Sequence, residues 1–257
     1  MEDCKLLLID LDGTLLRSDK KISRATFRAL QKCREKGILT GVCTSRGERN
    51  ARAFIEELRP DVLIASGGAV VKYKNRYLYK AEFSKERTRQ LIDAARAVCG
   101  ADCQITIDTM DAHYWNYKID PQKQDQSWGN SIYTDFSNFD ERALKMCVEI
   151  FDSRQLEQLK GRLTDCDCIR FSDGYWYKFT QTQATKERAI EKLCAALGLS
   201  TDEMIAFGDD SADIGMLQLC GRGIAMGNAI DEVKQKADFV IGGNDEEGIA
   251  EYLQQFL

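Results

Sequence analysis

The sequence predicts an α/β chain, a parallel sheet covered by helices and interrupted by an inserted α+β module. Three observations carry this. Short apolar runs alternate with amphipathic helical stretches at the start of the chain. The same alternation resumes after Thr185. The block between them has a period-two texture rich in polar aromatic residues.

Taken in order, Lys5–Ile9 is a short apolar run bounded by turn signals and reads as a buried strand. "ISRATFRALQKCREKG" follows as a helix, with Ser23 as N-cap, Ile22 placed to staple onto Phe27, and Gly37 as the stop. "ILTGVCT" is a second buried strand. Glu48–Leu58 reads as a helix closed by Arg59-Pro60, and "VLIA" as a third strand. This rhythm calls for parallel strands joined by right-handed crossovers. After "SGGA", Val70–Tyr73 and Tyr77–Phe83 read as a hairpin around Lys74-Asn75, and Lys85–Cys99 as a helix.

From Gln104 to about Thr180 the pattern changes. "QITID", "HYWNY", "CIRFS" and "YWYKF" read as strands of an antiparallel α+β module, Gln155–Leu163 as a helix, and Ile119–Asn138, with Pro121 inside it, as a long loop. Past Thr185 the alternation runs "TKERAIEKLCAALG" helix, "MIAFG" strand, "IGMLQLC" helix, "GIAMG" strand, "AIDEVKQKA" helix, "DFVIG" strand and "EGIAEYLQQF" helix. The expected division is a core of residues 1–80 and 185–257 with an insert at 81–184.

Composition narrows the function. With 44% apolar and 30% charged residues, the 257-residue chain fits an ordinary globular protein. A net charge of -5 argues against a broad nucleic-acid surface. No apolar stretch approaches the length of a membrane span, and no signal-peptide pattern opens the chain. Of ten cysteines, Cys4, Cys33, Cys43, Cys147, Cys194 and Cys220 sit in or beside apolar segments, as buried free thiols do. There is no CxxC, so a reducing, cytoplasmic setting is expected. The single histidine, His113, reads as a surface or half-buried ring beside Tyr114 and Trp115.

Parallel sheets bind ligands at the carboxyl ends of their strands. The first strand ends in Asp10, with Asp12 and Gly13 behind it. The second ends in Thr44, Ser45 and Arg46. The first strand after the insert ends in Gly208, Asp209 and Asp210, with Asp213 opening the next helix and Lys186 opening the helix before. Clustered carboxylates with oxygen-rich neighbours suit a hard cation such as Mg²⁺. Thr44, Ser45 and Lys186 are types that cradle phosphate oxygens, and Gly13 lets loop N–H groups face an anion. Singly, each has a plain reading: Asp12-Gly13 as a turn, Asp210 as a solvated carboxylate, Thr44 as a cap, Lys186 as an exposed lysine. The helix dipole disfavours a cation at the last of these places.

"DLDGTLL" at Asp10, "TSR" at Thr44, "TKERAIEKL" at Lys186, "GDDSADIGML" at Gly208, "AMGNA" at Ala225 and "NDEEGIAEYL" at Asn244 resemble, in order, the motifs of the haloacid dehalogenase (HAD) superfamily, and within it the Cof-like type IIB phosphatases. The resemblance implies a Rossmann-like parallel-sheet HAD core with an inserted α+β cap of the C2 type. It implies a Mg²⁺-dependent phosphatase of small phosphomonoesters, either sugar phosphates or phosphorylated cofactors. Asp10 then resembles the nucleophile, and Asp12 the general acid and base whose carbonyl also touches the metal. Thr44 resembles the phosphoryl-orienting hydroxyl, Lys186 the stabilising cation, and Asp209 and Asp213 the metal carboxylates. Ser45, Arg46 and Gly13 fall on the substrate side. The partner expected is a small phosphorylated metabolite, with no nucleic acid or membrane.

Two positions depart from the family pattern. Ala212 stands where an Asn usually precedes the second metal-loop aspartate. Gly67, in Ser66-Gly67-Gly68-Ala69, stands where an Asn commonly precedes Gly-Ala. In the insert, Tyr114, Trp115, Arg170, Tyr175, Trp176 and Lys178 are candidates for leaving-group contacts, and strand periodicity allows only about half of such a set to face one side. Two other readings stand beside the phosphatase, a sugar phosphomutase of the same superfamily and a low-turnover phosphometabolite-binding protein.

Overall fold

The computed structural model describes residues 3–74, 76–117, 131–172 and 174–255. In chain order the first core segment holds β1 (Leu6–Ile9), α1 (Arg24–Glu35), β2 (Leu39–Cys43), α2 (Arg52–Leu58), β3 (Val62–Ala65), β4 (Val70–Tyr73) and β5 (Arg76–Lys80). The insert holds α3 (Lys85–Cys99), β6 (Ile105–Asp108), β7 (His113–Trp115), β8 (Ser131–Tyr133), β9 (Lys145–Glu149), α4 (Ser153–Arg162), β10 (Cys166–Arg170) and β11 (Trp176–Gln181). The chain returns through α5 (Lys186–Leu197), β12 (Met204–Gly208), α6 (Ile214–Leu219), β13 (Arg222–Ala225), α7 (Asp231–Lys236), β14 (Phe239–Val240) and α8 (Gly248–Gln254).

The core sheet runs β14-β13-β12-β1-β2-β3-β4-β5. It is parallel from β14 to β3 and antiparallel across β3-β4-β5. Leu6–Ile9 has no exposed side chain because β1 lies in mid-sheet with both faces covered, which explains its unbroken apolar run. Ser23 caps α1 as expected, its Oγ accepting from Thr26 N at 3.0 Å. The fold places the ends of β1, β2 and β12 side by side, so Asp10, Thr44 and Asp209 meet although they are far apart in the chain.

The inserted sheet runs β10-β11-β9-β6-β7-β8. Its pairs are antiparallel except β7 with β8, which are parallel, a departure from the all-antiparallel expectation. One face carries Ile105, Ile107, Met146, Val148 and Phe179 into a second apolar core beneath α3 and α4. By the period-two rule the other face presents Thr106, Asp108, His113, Trp115, Lys145, Cys147, Trp176 and Lys178, and this face covers the ends of the core strands.

Several boundaries differ from the sequence reading. The helix expected from Glu48 begins at Arg52, and Glu48 instead accepts bonds from Lys72 (2.7 Å) and Tyr77 (2.9 Å). β9 was not expected, because Lys145 and Glu149 disguise its alternation. β8 falls inside the stretch read as a loop, whose residues 119–130 lie outside the described residues, as does Asn75 of the expected turn. His113 is neither on the surface nor half-buried. It is 3% exposed, with Nδ1 2.5 Å from Asp108 Oδ1. The described cysteines are all free thiols. Among the described residues no helix is long and apolar enough to cross a membrane.

Candidate active site

The strand ends enclose a cleft of about 510 Å³ between the two sheets, with Asp10 and Asp12 in its floor. Asp10 is buried. Lys186, the first residue of α5, reaches it with Nζ at 2.6 Å from Oδ1 and also lies 2.5 Å from Asp213 Oδ1. Asp213 Oδ2 accepts from the amides of Asp209 (3.0 Å) and Asp210 (3.1 Å), which fixes the loop after β12. Thr14 donates to Asp209 Oδ1 at 2.5 Å. Gly13 has φ +77°, and a Cβ there would lie 2.1 Å from Asp209 Oδ2, so a side chain at this position would expel the Asp209 carboxylate.

Thr44 is buried at the end of β2, and its Oγ1 accepts from Arg46 N at 3.0 Å. Arg46 is buried as well, but its guanidinium turns to Asp12, with Nε 2.6 Å from Oδ2 and Nη2 2.7 Å from Oδ1. Lys20 adds a third bond to Asp12 Oδ1 at 2.9 Å. The Asp12 carboxylate thus stands apart from the acidic cluster of Asp10, Asp209 and Asp213, whose oxygens lie within 4.8 Å of one another. Ser45 lines the cleft and offers its carbonyl to Lys145 of the inserted sheet at 2.7 Å.

Electrostatics separates these carboxyls. Burial, reinforced by Asp213 and Asp209, raises the Asp10 pKa well above the carboxylate range against the pull of Lys186. Burial and Asp213 push Asp209 up to about 7. At Asp12 burial acts in the same direction, but the Arg46 and Lys20 bonds and charges outweigh it and hold the carboxyl below its usual value. Lys186 is desolvated, yet Asp10 and Asp213 hold it charged. One ammonium among three crowded carboxylates leaves negative charge unbalanced on an all-oxygen donor set. That is the chemistry a divalent hard cation satisfies, so the residues present fit Mg²⁺.

The insert sorts its candidates by face. Trp115 and Trp176 line the cleft. Tyr114 packs into the insert's own core against Phe139, with ring centroids 5.0 Å apart. Tyr175 is exposed beside Phe151, and Arg170 lies over Tyr175 and Tyr177 on the outside. Lys178 is buried but stands outside the cleft wall, against Gly67. Ala212 contributes a methyl group to the wall.

Sequence reasoning missed several neighbours of the site. Asp108, Lys145 and His113 form a buried cluster on the insert, with Lys145 Nζ 2.8 Å from Asp108 Oδ2. Tyr117, Phe171 and Thr106 also line the cleft. Asp210, read as solvated, caps the turn before Asp213 and accepts from Ser172 N of the insert at 3.3 Å. A signal was available for Asp108, since "ITID" ends an apolar alternation in a carboxylate on the face that carries Thr106.

Comparison with known proteins agrees with this arrangement. Residues 7–253 match the model of the haloacid dehalogenase-like hydrolase family. The 5-amino-6-(5-phospho-D-ribitylamino)uracil phosphatase YwtE of Bacillus subtilis is 26% identical, over 98% of each chain. The pyridoxal phosphate phosphatase YbhA of Escherichia coli is 24% identical, again over 98% of each. Among solved structures, a haloacid dehalogenase-like hydrolase from Bacteroides thetaiotaomicron superposes with a TM-score of 0.83 at 24% identity, covering 99% of this chain and 100% of that one. The HAD subclass IIB sugar phosphatase BT4131 gives 0.85 at 21%, covering 98% of each. The strand order, the inserted sheet over the strand ends and the family match together show that the chain belongs to the haloacid dehalogenase-like hydrolases, in their Cof-like, type IIB phosphatase branch.

Proposed function

We propose that the chain is a Mg²⁺-dependent phosphatase that hydrolyses small phosphomonoesters through an aspartyl-phosphate on Asp10. The observation that carries this is Lys186 Nζ held 2.6 Å from Asp10 Oδ1 inside a cluster with Asp209 and Asp213. A carboxylate nucleophile needs its own charge and that of the phosphoryl group neutralised together, and this arrangement supplies the protein's share. Asp10 and Asp209 would hold Mg²⁺ with the Asp12 carbonyl. Both oxygens of Asp213 are engaged by Lys186 and two amides, which suits it to an indirect, orienting role. The bound ion supplies charge neutralisation at the phosphoryl oxygens.

In the first step an Asp10 oxygen attacks phosphorus, the ester P–O bond breaks, and Asp12 gives its proton to the departing alcohol oxygen. In the second, Asp12 takes a proton from water while the water oxygen attacks phosphorus. The acyl–phosphate bond breaks, returning the Asp10 carboxylate and inorganic phosphate. Thr44 accepts from Arg46 N and keeps its own O–H free to orient a phosphoryl oxygen. Gly13 and Ser45 supply loop backbone on the substrate side. Residues 1–80 and 185–257 serve as the catalytic core, and 81–184 as a cap that excludes water. Relatives named as phosphatases of a ribitylaminouracil phosphate and of pyridoxal phosphate support a small phosphorylated metabolite as substrate.

The test is Asp10→Asn assayed on 4-nitrophenyl phosphate with and without Mg²⁺, with the fold followed by circular dichroism. The expected result is loss of phosphate release with the fold retained. Full metal-dependent turnover by the variant would overturn the assignment of the nucleophile.

A further inference from the structure

Three consecutive carbonyls follow the end of β2, and they are held from two sides. The core holds the first and the third: Gly67 N donates to the Thr44 carbonyl at 3.0 Å and Ser66 N to the Arg46 carbonyl at 2.7 Å. The second, that of Ser45, is held from the inserted sheet by Lys145 Nζ at 2.7 Å. Lys145 is 3% exposed. It is fixed in turn by Asp108, 2.8 Å away on the neighbouring strand, which also binds His113. Asp108 reaches the same loop because residue 47 is glycine, where a Cβ would lie 3.0 Å from the Asp108 carboxyl carbon.

The Ser45 carbonyl and the Arg46 N–H belong to one planar peptide unit, so fixing one fixes the other. Arg46 N donates to Thr44 Oγ1 at 3.0 Å and so orients the Thr44 hydroxyl. The same residue carries the guanidinium that forks Asp12 at 2.6 and 2.7 Å. An ammonium on the carbonyl also polarises the peptide and strengthens its N–H as a donor. One bond from the insert therefore acts on two groups at the phosphoryl end of the cleft. Water at the Ser45 carbonyl would impose no fixed direction, and a positioned group displaced by about 1 Å loses roughly 100-fold in rate.

We infer that Lys145 is a positioning residue for phosphoryl transfer: from the inserted sheet it locks the Ser45–Arg46 peptide plane, and through that plane it sets the Thr44 hydroxyl and the Arg46 fork on Asp12. This rests on the phosphatase reading above and makes the insert part of the acid–base machinery. The two effects separate by leaving group. Thr44 bears on every ester alike. Asp12 as acid matters most for an alkoxide that leaves poorly without a proton, and little for 4-nitrophenolate.

The test compares kcat/KM with Mg²⁺ for 4-nitrophenyl phosphate and for whichever of benzyl phosphate, glycerol 3-phosphate and glucose 6-phosphate the wild-type protein turns over fastest. Lys145→Met should lower the aryl value roughly fivefold and the alkyl value roughly 100-fold, so that the alkyl-to-aryl ratio falls roughly 20-fold. This variant leaves Asp108 without its ammonium. Lys145→Met combined with Asp108→Leu is therefore assayed beside it, with the fold followed by circular dichroism. The double variant should be folded and should keep the low ratio. Equal losses on the two esters, or a wild-type ratio in the double variant, would overturn the inference and leave the phosphatase reading intact. A wild-type protein that cleaves the aryl ester but no alkyl ester has no acid for Lys145 to set, which overturns the inference as well. Absence of metal-dependent phosphate release from every ester would overturn the phosphatase reading itself.

Discussion

Arg46 grips Asp12 with a two-bond fork, Nε to Oδ2 at 2.6 Å and Nη2 to Oδ1 at 2.7 Å, while its guanidinium stacks 5.4 Å from the centre of the Phe54 ring. The fork holds Asp12 as an anion, the form needed to take a proton from water but not the form that gives one to the leaving alcohol. On the proposed mechanism a phosphate dianion would compete with Asp12 for this buried guanidinium, and substrate binding would then release Asp12 to take up a proton. Arg46→Lys keeps a charge but loses the planar fork. The expected result is a fall in kcat/KM of roughly 100-fold, the scale of one mispositioned acid–base group. The acidic limb of the pH profile should also move to higher pH, because Asp12 loses the partner that depresses it. A pH–rate series on wild type and variant reads both.

The acidic cluster predicts how metal and pH act together on stability. Asp209 titrates near 7 in the folded, metal-free protein because burial and Asp213 oppose its charge, against about 3.9 when unfolded. Between those values the folded state binds more protons than the unfolded one, so this group makes the metal-free protein less stable as pH rises from about 4 to 7. A divalent cation relieves the repulsion only when the carboxylates are ionised. The gain in Tm on adding Mg²⁺ to EDTA-treated protein should therefore be small at pH 5.5 and grow through pH 7.5. Asp209→Asn should abolish most of that gain at both values. Scanning calorimetry at the two pH values checks it.

What the sequence made legible follows from how local each arrangement is. Asp10 and Asp209 are readable because a carboxylate directly behind an apolar run must sit at a strand end, parallel strands bring their ends together, and Asp213 follows Asp209 by one turn at the start of the next helix. The insert is less legible because its site face depends on register. Period two splits "YWYKF" into two sets, but only the pairing with β9 shows that Trp176 faces the cleft while Tyr177 packs on the insert's core. Lys145 reads as an ordinary surface charge. It is buried because the register sets it opposite Asp108 on β6, which in turn faces His113 on β7. Neither partner is near Lys145 in the chain, so no local pattern announces the cluster.

That cluster ties the insert to the core. Asp108 receives His113 and Lys145, its carboxyl is held well below the usual range by Lys145 and His113 against the effect of burial, and Lys145 reaches on to the Ser45 carbonyl beside Arg46. Asp108→Asn leaves a buried ammonium without its counter-charge and should cost about 3–5 kcal/mol, whereas Asp108→Leu with Lys145→Met should recover much of the loss. The folded Asp108 pKa is depressed, so its contribution is present above the unfolded value of about 3.9 and is lost as pH falls below it. Urea unfolding of the two variants at pH 7 and of wild type at pH 3 and 7 measures these terms.

Lys178 is the converse case, a buried cation that no described residue pairs. Its Nζ has no hydrogen-bond partner among the described residues and occupies the space beside Gly67, where a Cβ would approach it to 2.4 Å. A side chain at Gly67 would take the space that the lysine occupies. Burial, with Lys186 and Lys145 nearby, lowers its pKa to about 8. A lysine depressed from about 10.4 in the unfolded chain leaves the unfolded state holding more protons between those values, so stability rises with pH across that window. Below pH 8 the buried charge costs on the order of 3 kcal/mol. Lys178→Met should therefore stabilise the protein at pH 7 and flatten the rise in stability between pH 8 and 10 seen in wild type. Equal pH slopes for the two proteins in guanidinium melts would show that Lys178 keeps its charge with a partner inside the fold.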